Sequence, residues 1–129
     1  THTGAFNTGT GTVNVSTNNG KGYTTYVTSK TTNTDLSQPA ASGVADKIPS
    51  ISESKSTISG TGWGWSADGT TFNPVKQAGT ANASTIFAKT TSAATSGSAK
   101  TITVGASATT SIPVGTYSNT LLFTAVANQ

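Results

Sequence analysis

The sequence predicts an all-β fold, an antiparallel β-sandwich of about seven or eight short strands. Thr and Ser make up about a third of the 129 residues, strong helix formers are scarce, and Thr prefers the pleated surface of a sheet. Several short segments alternate apolar and polar residues, and Gly, Pro or Asn turns separate them. We therefore expect a single sandwich domain over residues 1–129.

The clearest local unit covers residues 11–29. Val13 and Val15 alternate with polar residues. In YTTYVTS, a strand would place Tyr23, Thr25 and Val27 on one face and Thr24, Tyr26 and Thr28 on the other. Between them, NNGKG supplies the Asn and Gly residues that a hairpin loop needs at positive φ. This unit predicts a β-hairpin. Upstream, either a short first strand lies around Thr3–Phe6, or the first strand lies before this sequence or is donated by a neighbour.

Residues 31–56 break the strand pattern. Pro39 and Pro49 exclude a central strand, and no helical period is present. An irregular segment of this length is uncommon in a compact domain, so it is either functional or contains short edge strands. Three of the four acidic residues lie in it, namely Asp35, Asp46 and Glu53.

The second half of the chain predicts further strands. A hairpin is expected to leave along residues 61–66 and return along 70–76 through the Asp68-Gly69 turn, and a weaker strand is expected over 84–91. The strand near residue 104 should place four side chains on one face: Ile102, Val104, Ala106 and Ala108. The last strand should point Tyr117, Leu121, Phe123 and Ala125 inward. Its opposite face holds Leu122 and Val126, which predicts a strand covered on both sides.

The closing segment SIPVGTYSNTLLFTAVANQ resembles the last hairpin of secreted bacterial cell-surface and fimbrial-type (pilin-like) β-sandwich modules. The resemblance lies in the Pro-x-Gly-x-Tyr pattern of Pro113, Gly115 and Tyr117. VSTNNGKGY and WGWSADGTTFNPV are similar to segments of large repetitive bacterial surface proteins. The resemblance implies an Ig-like or pilin-like sandwich, an extracellular cell-surface location, and neighbouring copies or modules as partners in strings or filaments.

The chain lacks the groups that catalysis and metal binding need. Its only histidine is His2 near the terminus, and it has no cysteine, so a hydrolytic triad is not expected. The four acidic residues do not pair or cluster, which argues against glycosidase chemistry and against metal sites. We expect no enzyme activity and no cofactor. Asn119 and Asn128 are candidate amides for a Lys–Asn isopeptide bond.

The charge pattern argues against two classes of partner. The net charge of +3 comes from seven lysines spread evenly along the chain, without arginine. Nucleic-acid binding usually needs clustered Lys and Arg, so it is not expected. No apolar run is long enough to cross a bilayer, so membrane insertion is not expected either.

Both tryptophans lie in GTGWGWSADGTTF, and Trp63 and Trp65 share one face of their strand because they are two residues apart. This face is either core or a ligand platform. We expect Trp63 in the core and Trp65 near the rim. On the opposite face Gly60, Gly62 and Gly64 leave room for another segment to pack closely.

Two functions follow from these observations. The first is a non-catalytic structural module of a bacterial cell surface or extracellular filament, with strand exchange as a route of assembly. The alternative is a carbohydrate-binding or adhesin domain that recognises a host or surface glycan through exposed aromatic residues. Its candidate ligand contacts are Trp65, Tyr23 and Tyr26.

Overall fold

A computed structural model of the protein describes residues 5–38 and 47–129, and they form an almost entirely β structure. Eight strands lie in these ranges: β1 (Asn7–Thr17), β2 (Tyr23–Ser29), β3 (Leu36–Ser37), β4 (Lys47–Ile48), β5 (Gly62–Ser66), β6 (Ile86–Lys89), β7 (Ala94–Ser107) and β8 (Leu121–Ala127). A 3-10 turn, Ala83–Thr85, precedes β6. The predicted all-β class is confirmed.

The strands form two antiparallel three-stranded sheets and a small third sheet. The first sheet has the order β1-β7-β5, the second has the order β6-β2-β8, and β3 pairs with β4. Both large sheets contribute to one core, which includes Trp63, Trp65 and Ile102 from the first and Val27 and Phe87 from the second. The rings of Trp65 and Phe87 meet edge to face at 6.3 Å, so the two layers pack as a β-sandwich.

β1 and β2 do not form the predicted hairpin, because they lie in different sheets. The NNGKG loop instead crosses from one sheet to the other. Asn19 fixes this crossing: its side-chain amide donates to the carbonyls of Gly22 at 2.9 Å and Asn128 at 2.8 Å. Gly22 has a φ of 77°, as the loop composition predicted. Alternation of apolar residues identifies a strand, but its partner is decided by residues far along the chain.

The first strand begins later than expected. β1 starts at Asn7, and neither Ala5 nor Phe6 is in a strand. The remainder of the expected Thr3–Phe6 strand lies outside the described residues. Phe6 instead packs edge-on against Phe72, with ring centroids 5.1 Å apart.

A second apolar cluster covers the face of the first sheet that points away from the core. It consists of Ile51, Ile58 and Phe72, with Phe6 packed against them. Three glycines permit this approach, because a Cβ would come within 3.1 Å of Ile51 at Gly62, 2.6 Å of the Asn73 carbonyl at Gly64, and 2.6 Å of Phe6 at Gly105. The expected close packing is confirmed at Gly62 and Gly64, whereas Gly60 is a turn residue with a φ of 76° and open space around it.

The segment over residues 31–56 contains short strands, one of its two predicted alternatives. β3 and β4 lie in it, and Ser50 and Lys55 form single bridges to Trp63 and Phe72. Residues 39–46, which include Pro39 and Asp46, lie outside the described residues. The segment therefore supplies the small third sheet and, through Ile51, part of the cover over Gly62 and Gly64.

The predicted hairpin around Asp68 is present in a short form. Backbone hydrogen bonds join Trp65 and Asn73 in both directions, at 3.1 and 2.7 Å. Gly69 has a φ of 78°, which fits the expected turn. The weak strand expected over 84–91 is confirmed as β6.

The C-terminal region follows its prediction only in part. Ile102, Val104, Ala106 and Ala108 do share the core face, and Leu121 and Phe123 also pack on the core. However, Ala125 is exposed, and Leu122 and Val126 are 43% and 49% exposed, so β8 is not covered on both sides.

The closing segment does not form a hairpin, because β7 and β8 belong to different sheets. Residues 108–120 turn the chain between the layers. The Tyr117 hydroxyl donates to the Pro113 carbonyl at 2.8 Å and accepts from the Gln38 amide at 2.9 Å. A Tyr hydroxyl bonded to an upstream carbonyl is a known device at the corners of sandwiches. Pro113 and Tyr117 therefore interact directly, but they do so at a corner between the two sheets and not in a hairpin.

Candidate functional site

The aromatic residues predicted to bind a ligand do not form one surface. Trp65 and Tyr23 are buried, with only 2% and 3% of their surfaces exposed. The Trp65 indole N–H donates to the Pro74 carbonyl at 3.2 Å, and that of Trp63 donates to the Thr34 carbonyl at 2.9 Å. Trp63 is a core residue as expected, but the rim position predicted for Trp65 is wrong. Neither ring offers a free face to a sugar.

Tyr26 is half-buried on the outer face of the second sheet, on the other side of β2 from Tyr23. It lines a groove of about 230 Å³ between β2, β8 and residues 79–81. The other strand residues in this groove are Thr28, Leu122, Thr124 and Val126. Of the three predicted ligand contacts, Tyr26 is the only one that is not fully buried, and it lines this groove.

Apolar side chains continue this outer face across the sheet. The pairing register places Ile86 opposite Tyr26, Leu122 opposite Thr28 and Val126 opposite Thr24, and directly paired residues share a face. Ile86, Leu122 and Val126 are three of the four large apolar residues that are exposed among the described residues.

Trp65 borders a different, more polar cleft of about 340 Å³. Ser54, Asn73 and Lys76 lie in its wall, and the Ser54 hydroxyl donates to the Asn73 side chain at 2.8 Å. Glu53 also lines this cleft, and its carboxylate pairs with Lys55 at 3.6 Å. The structure therefore brings neither Trp65 and Tyr26 nor Trp65 and Tyr23 to one site.

The acidic residues do not assemble a reactive centre in the described ranges. No group of three His, Cys, Asp or Glu residues there is placed to hold a metal ion. Hydrogen bonds from the backbone N–H groups of Thr71 and Thr70 hold the pKa of Asp68 well below its usual range, and a hydrogen bond from the Ser66 hydroxyl contributes less. Asp68 is thus engaged in its turn. His2 and Asp46 lie outside the described residues.

The two candidate isopeptide amides are held in hydrogen bonds. The Asn119 side chain donates to the carbonyls of Asn33 at 3.0 Å and Asp35 at 2.9 Å. The Asn128 side chain donates to the carbonyls of Lys21 and Thr90, both at 2.8 Å. In the structure both amides tie loops to the ends of β8.

The first sheet has one covered edge and one open edge. Along β5, the backbone of Trp63 bonds Pro49 and Ile51, and that of Trp65 bonds Asn73. The direction of the backbone hydrogen bonds alternates along an antiparallel strand. Gly62, Gly64 and Ser66 therefore point their N–H and C=O groups to β7. The outer edge of β5 is therefore occupied.

The same alternation defines the open edge on β1. Gly64 pairs with Gly105, so the backbone N–H and C=O groups of Gly105 point to β5. Those of its neighbours Val104 and Ala106 point the other way, to β1, where these two residues pair with Gly9 and Asn7. Odd-numbered residues of β1 therefore point their backbone groups to β7, and Thr8, Thr10, Thr12 and Asn14 point theirs away from the sheet. We call these four residues the β1 edge. Residues 7–12 are all exposed, so no described part of the chain covers this edge.

β8 forms a second open edge. Lys30 bonds Thr120 and Asn128 bonds Gly22 through the backbone, so even-numbered residues of β8 face β2. The backbone groups that point outward belong to Leu121, Phe123, Ala125 and Ala127. Neither β1 nor β8 contains a lysine or a proline, whereas the edge strand β6 carries Lys89.

The sequence pattern did not reveal the open β1 edge, because it predicted that β1 pairs with β2 in a hairpin. One signal was present: the chain has no charged residue from Thr3 to Gly20. Edge strands of monomeric proteins usually carry charge or proline, so β1, once the topology places it at a sheet edge, lacks that protection.

Comparisons with protein families, with curated proteins and with solved structures find no match to this chain. In the described residues, no helix has the length and apolar character needed to cross a membrane.

Proposed function

We propose that this protein is a non-catalytic structural module of a bacterial cell surface or extracellular filament, which contacts neighbouring copies or modules through its sheet edges. The open β1 and β8 edges carry the proposal. Unpaired N–H and C=O rows are templates for another strand, and proteins that stay monomeric protect them with charge, proline or a covering segment.

The use of the large aromatic residues supports the same function. Trp63, Trp65 and Phe87 fill the layer between the sheets and leave no aromatic platform at the first sheet. A rigid core with open sheet edges suits a structural module that holds its neighbours in a fixed arrangement. The resemblance of the closing segment to surface and fimbrial-type modules adds the extracellular location to the proposal.

Light scattering after size-exclusion chromatography, combined with negative-stain electron microscopy, tests this function. We expect oligomers or short strings whose size increases with protein concentration. A chain that remains monomeric at every concentration, and that binds a glycan on an array, would contradict the proposal and favour the alternative.

The groove beside Tyr26 supports the second candidate, a carbohydrate-binding or adhesin domain. One half-buried tyrosine beside the hydroxyls of Thr28 and Thr124 offers stacking and hydrogen bonds to a sugar. On a glycan array, Tyr26→Ala should abolish any binding by this groove. Val114→Ala, at a residue that is 88% exposed and outside the groove, should not change it.

A further inference from the structure

We infer that β1 pairs antiparallel with β1 of a second copy of this chain, across a two-fold axis at Gly11, and joins the two first sheets into one six-stranded sheet. The inference rests on the proposed function and adds to it the edge, the partner and the register.

β1 is the better of the two open edges for this contact. It is 11 residues long against 7 for β8, and its side chains from Asn7 to Thr12 are exposed on both faces. Among the described residues, an incoming strand therefore meets no obstacle above or below the sheet. The start of β8, in contrast, is flanked by the bridge between Ser37 and Ser118.

A second copy fits this edge because the edge is self-complementary. A two-fold axis runs identical strands antiparallel, so each outward N–H of one copy meets an outward C=O of the other. β1 carries no charge, so pairing brings no like charges together. The lysine opposite it on β7, Lys100, has its ammonium group over the Phe87 ring at 5.7 Å.

The regular part of β1 determines the register. Pairing with β7 is regular from Asn7 to Val15 and shifts at a bulge between Val15 and Thr17. The centre of this stretch is Gly11. With the axis there, Thr8 bonds the partner's Asn14 and Thr10 bonds the partner's Thr12, so every residue of the β1 edge is used on both copies. Gly11 then lies opposite the partner's Gly11 as a pair without mutual hydrogen bonds, with Cα atoms about 4.5 Å apart.

Two matched glycine-to-cysteine variants test this register, and the chain has no cysteine of its own. A Cβ at Gly11 would meet only Ile102, at an ordinary 3.7 Å, and a Cβ at Gly9 meets nothing within 4 Å. Gly11→Cys should form an interchain disulfide on mild oxidation, because the two Cα atoms lie within disulfide range. Gly9→Cys should stay unlinked, since its copy is about 14 Å away along the strand.

Amide hydrogen exchange provides a second readout that does not depend on cysteine. In dilute protein the amides of Thr8, Thr10, Thr12 and Asn14 should exchange quickly, and in concentrated protein they should become protected. The amides of Gly9, Gly11 and Val13 bond to β7 and should be protected at both concentrations. Thr10→Lys should weaken association by about tenfold or more, because it places a charge on the edge.

The outcomes separate this inference from the proposed function. If the wild-type chain assembles but Gly11→Cys does not link, or Gly9→Cys links equally well, the inference is wrong and the proposed function stands. If the wild-type chain is monomeric at every concentration and its β1 amides show no concentration dependence, both are overturned. Circular dichroism of each reduced variant checks that it folds.

Discussion

At the residue scale, three glycines allow the first sheet to be covered on both faces. Tryptophan rings occupy the core side of β5, and the opposite side has no side chain at Gly62 or Gly64. Ile51 and the Asn73 carbonyl occupy that space directly. Interior packing is dense enough that one added methyl group at such a contact must displace its neighbours.

Gly64→Ala should therefore destabilise the fold by about 1–3 kcal/mol, because the added Cβ would lie 2.6 Å from the backbone carbonyl of Asn73. Gly9→Ala is the matched control in another strand of the same sheet. Nothing lies within 4 Å of its Cβ, so we expect a neutral effect or a gain of up to about 1 kcal/mol. Urea unfolding followed by tryptophan fluorescence measures both. Equal losses at the two positions would show that close approach is not the cause.

At the element scale, local pattern predicted the strands and missed their partners. Val13 and Val15 correctly indicated β1, and YTTYVTS correctly indicated β2. The loop between them contains the right residues for a hairpin, yet it connects two sheets. Strand pairing depends on long-range contacts such as those of β1 with β7, and no local pattern in residues 11–29 reports on them.

The candidate site shows the same limit. Period two placed Tyr23 and Tyr26 on opposite faces of β2 correctly, but burial of Trp65 depends on the whole second sheet above it. The spacing of Gly62 and Gly64 did predict close packing, since an absent side chain is visible in sequence. The open β1 edge follows only from the full topology.

Asn128 illustrates how polar side chains fix the crossings between elements. Its amide nitrogen donates to the carbonyls of Lys21 and Thr90, and its oxygen accepts from the Thr24 hydroxyl at 2.8 Å. It therefore connects the end of β8 to the loop before β2 and to the end of β6. A side chain that both donates and accepts is needed at this position.

Asn128→Asp should destabilise the protein by about 1–3 kcal/mol at neutral pH, because a carboxylate cannot donate to the two carbonyls. Gln129→Glu adds the same charge at the exposed neighbouring residue and should change stability by less than about 0.5 kcal/mol. Thermal unfolding by circular dichroism compares the two variants. A loss as large in Gln129→Glu would assign the effect to net charge.

At the scale of the whole molecule, the two sheets depend on one shared core. Phe87 lies at its centre, where its ring contacts Trp65 of the first sheet and Phe123 of the second, at 6.3 and 5.3 Å. Ile48 and Val75, which lie outside both three-stranded sheets, are buried in the same cluster. We therefore expect the two sheets to unfold together. We also expect the monomer to be stably folded although two of its sheet edges are open.

Phe87→Ala should destabilise the whole domain by about 3–5 kcal/mol, because it removes a buried ring and leaves a cavity between the layers. Ile86→Ala is the matched control, since the adjacent side chain lies on the outer face and is 36% exposed, and it should cost less than about 1 kcal/mol. Urea unfolding followed in parallel by tryptophan fluorescence and far-ultraviolet circular dichroism measures both. In Phe87→Ala the two signals should shift together, because the tryptophans report on the first sheet and the circular dichroism on both. If the fluorescence transition moved alone, the sheets would be separate folding units.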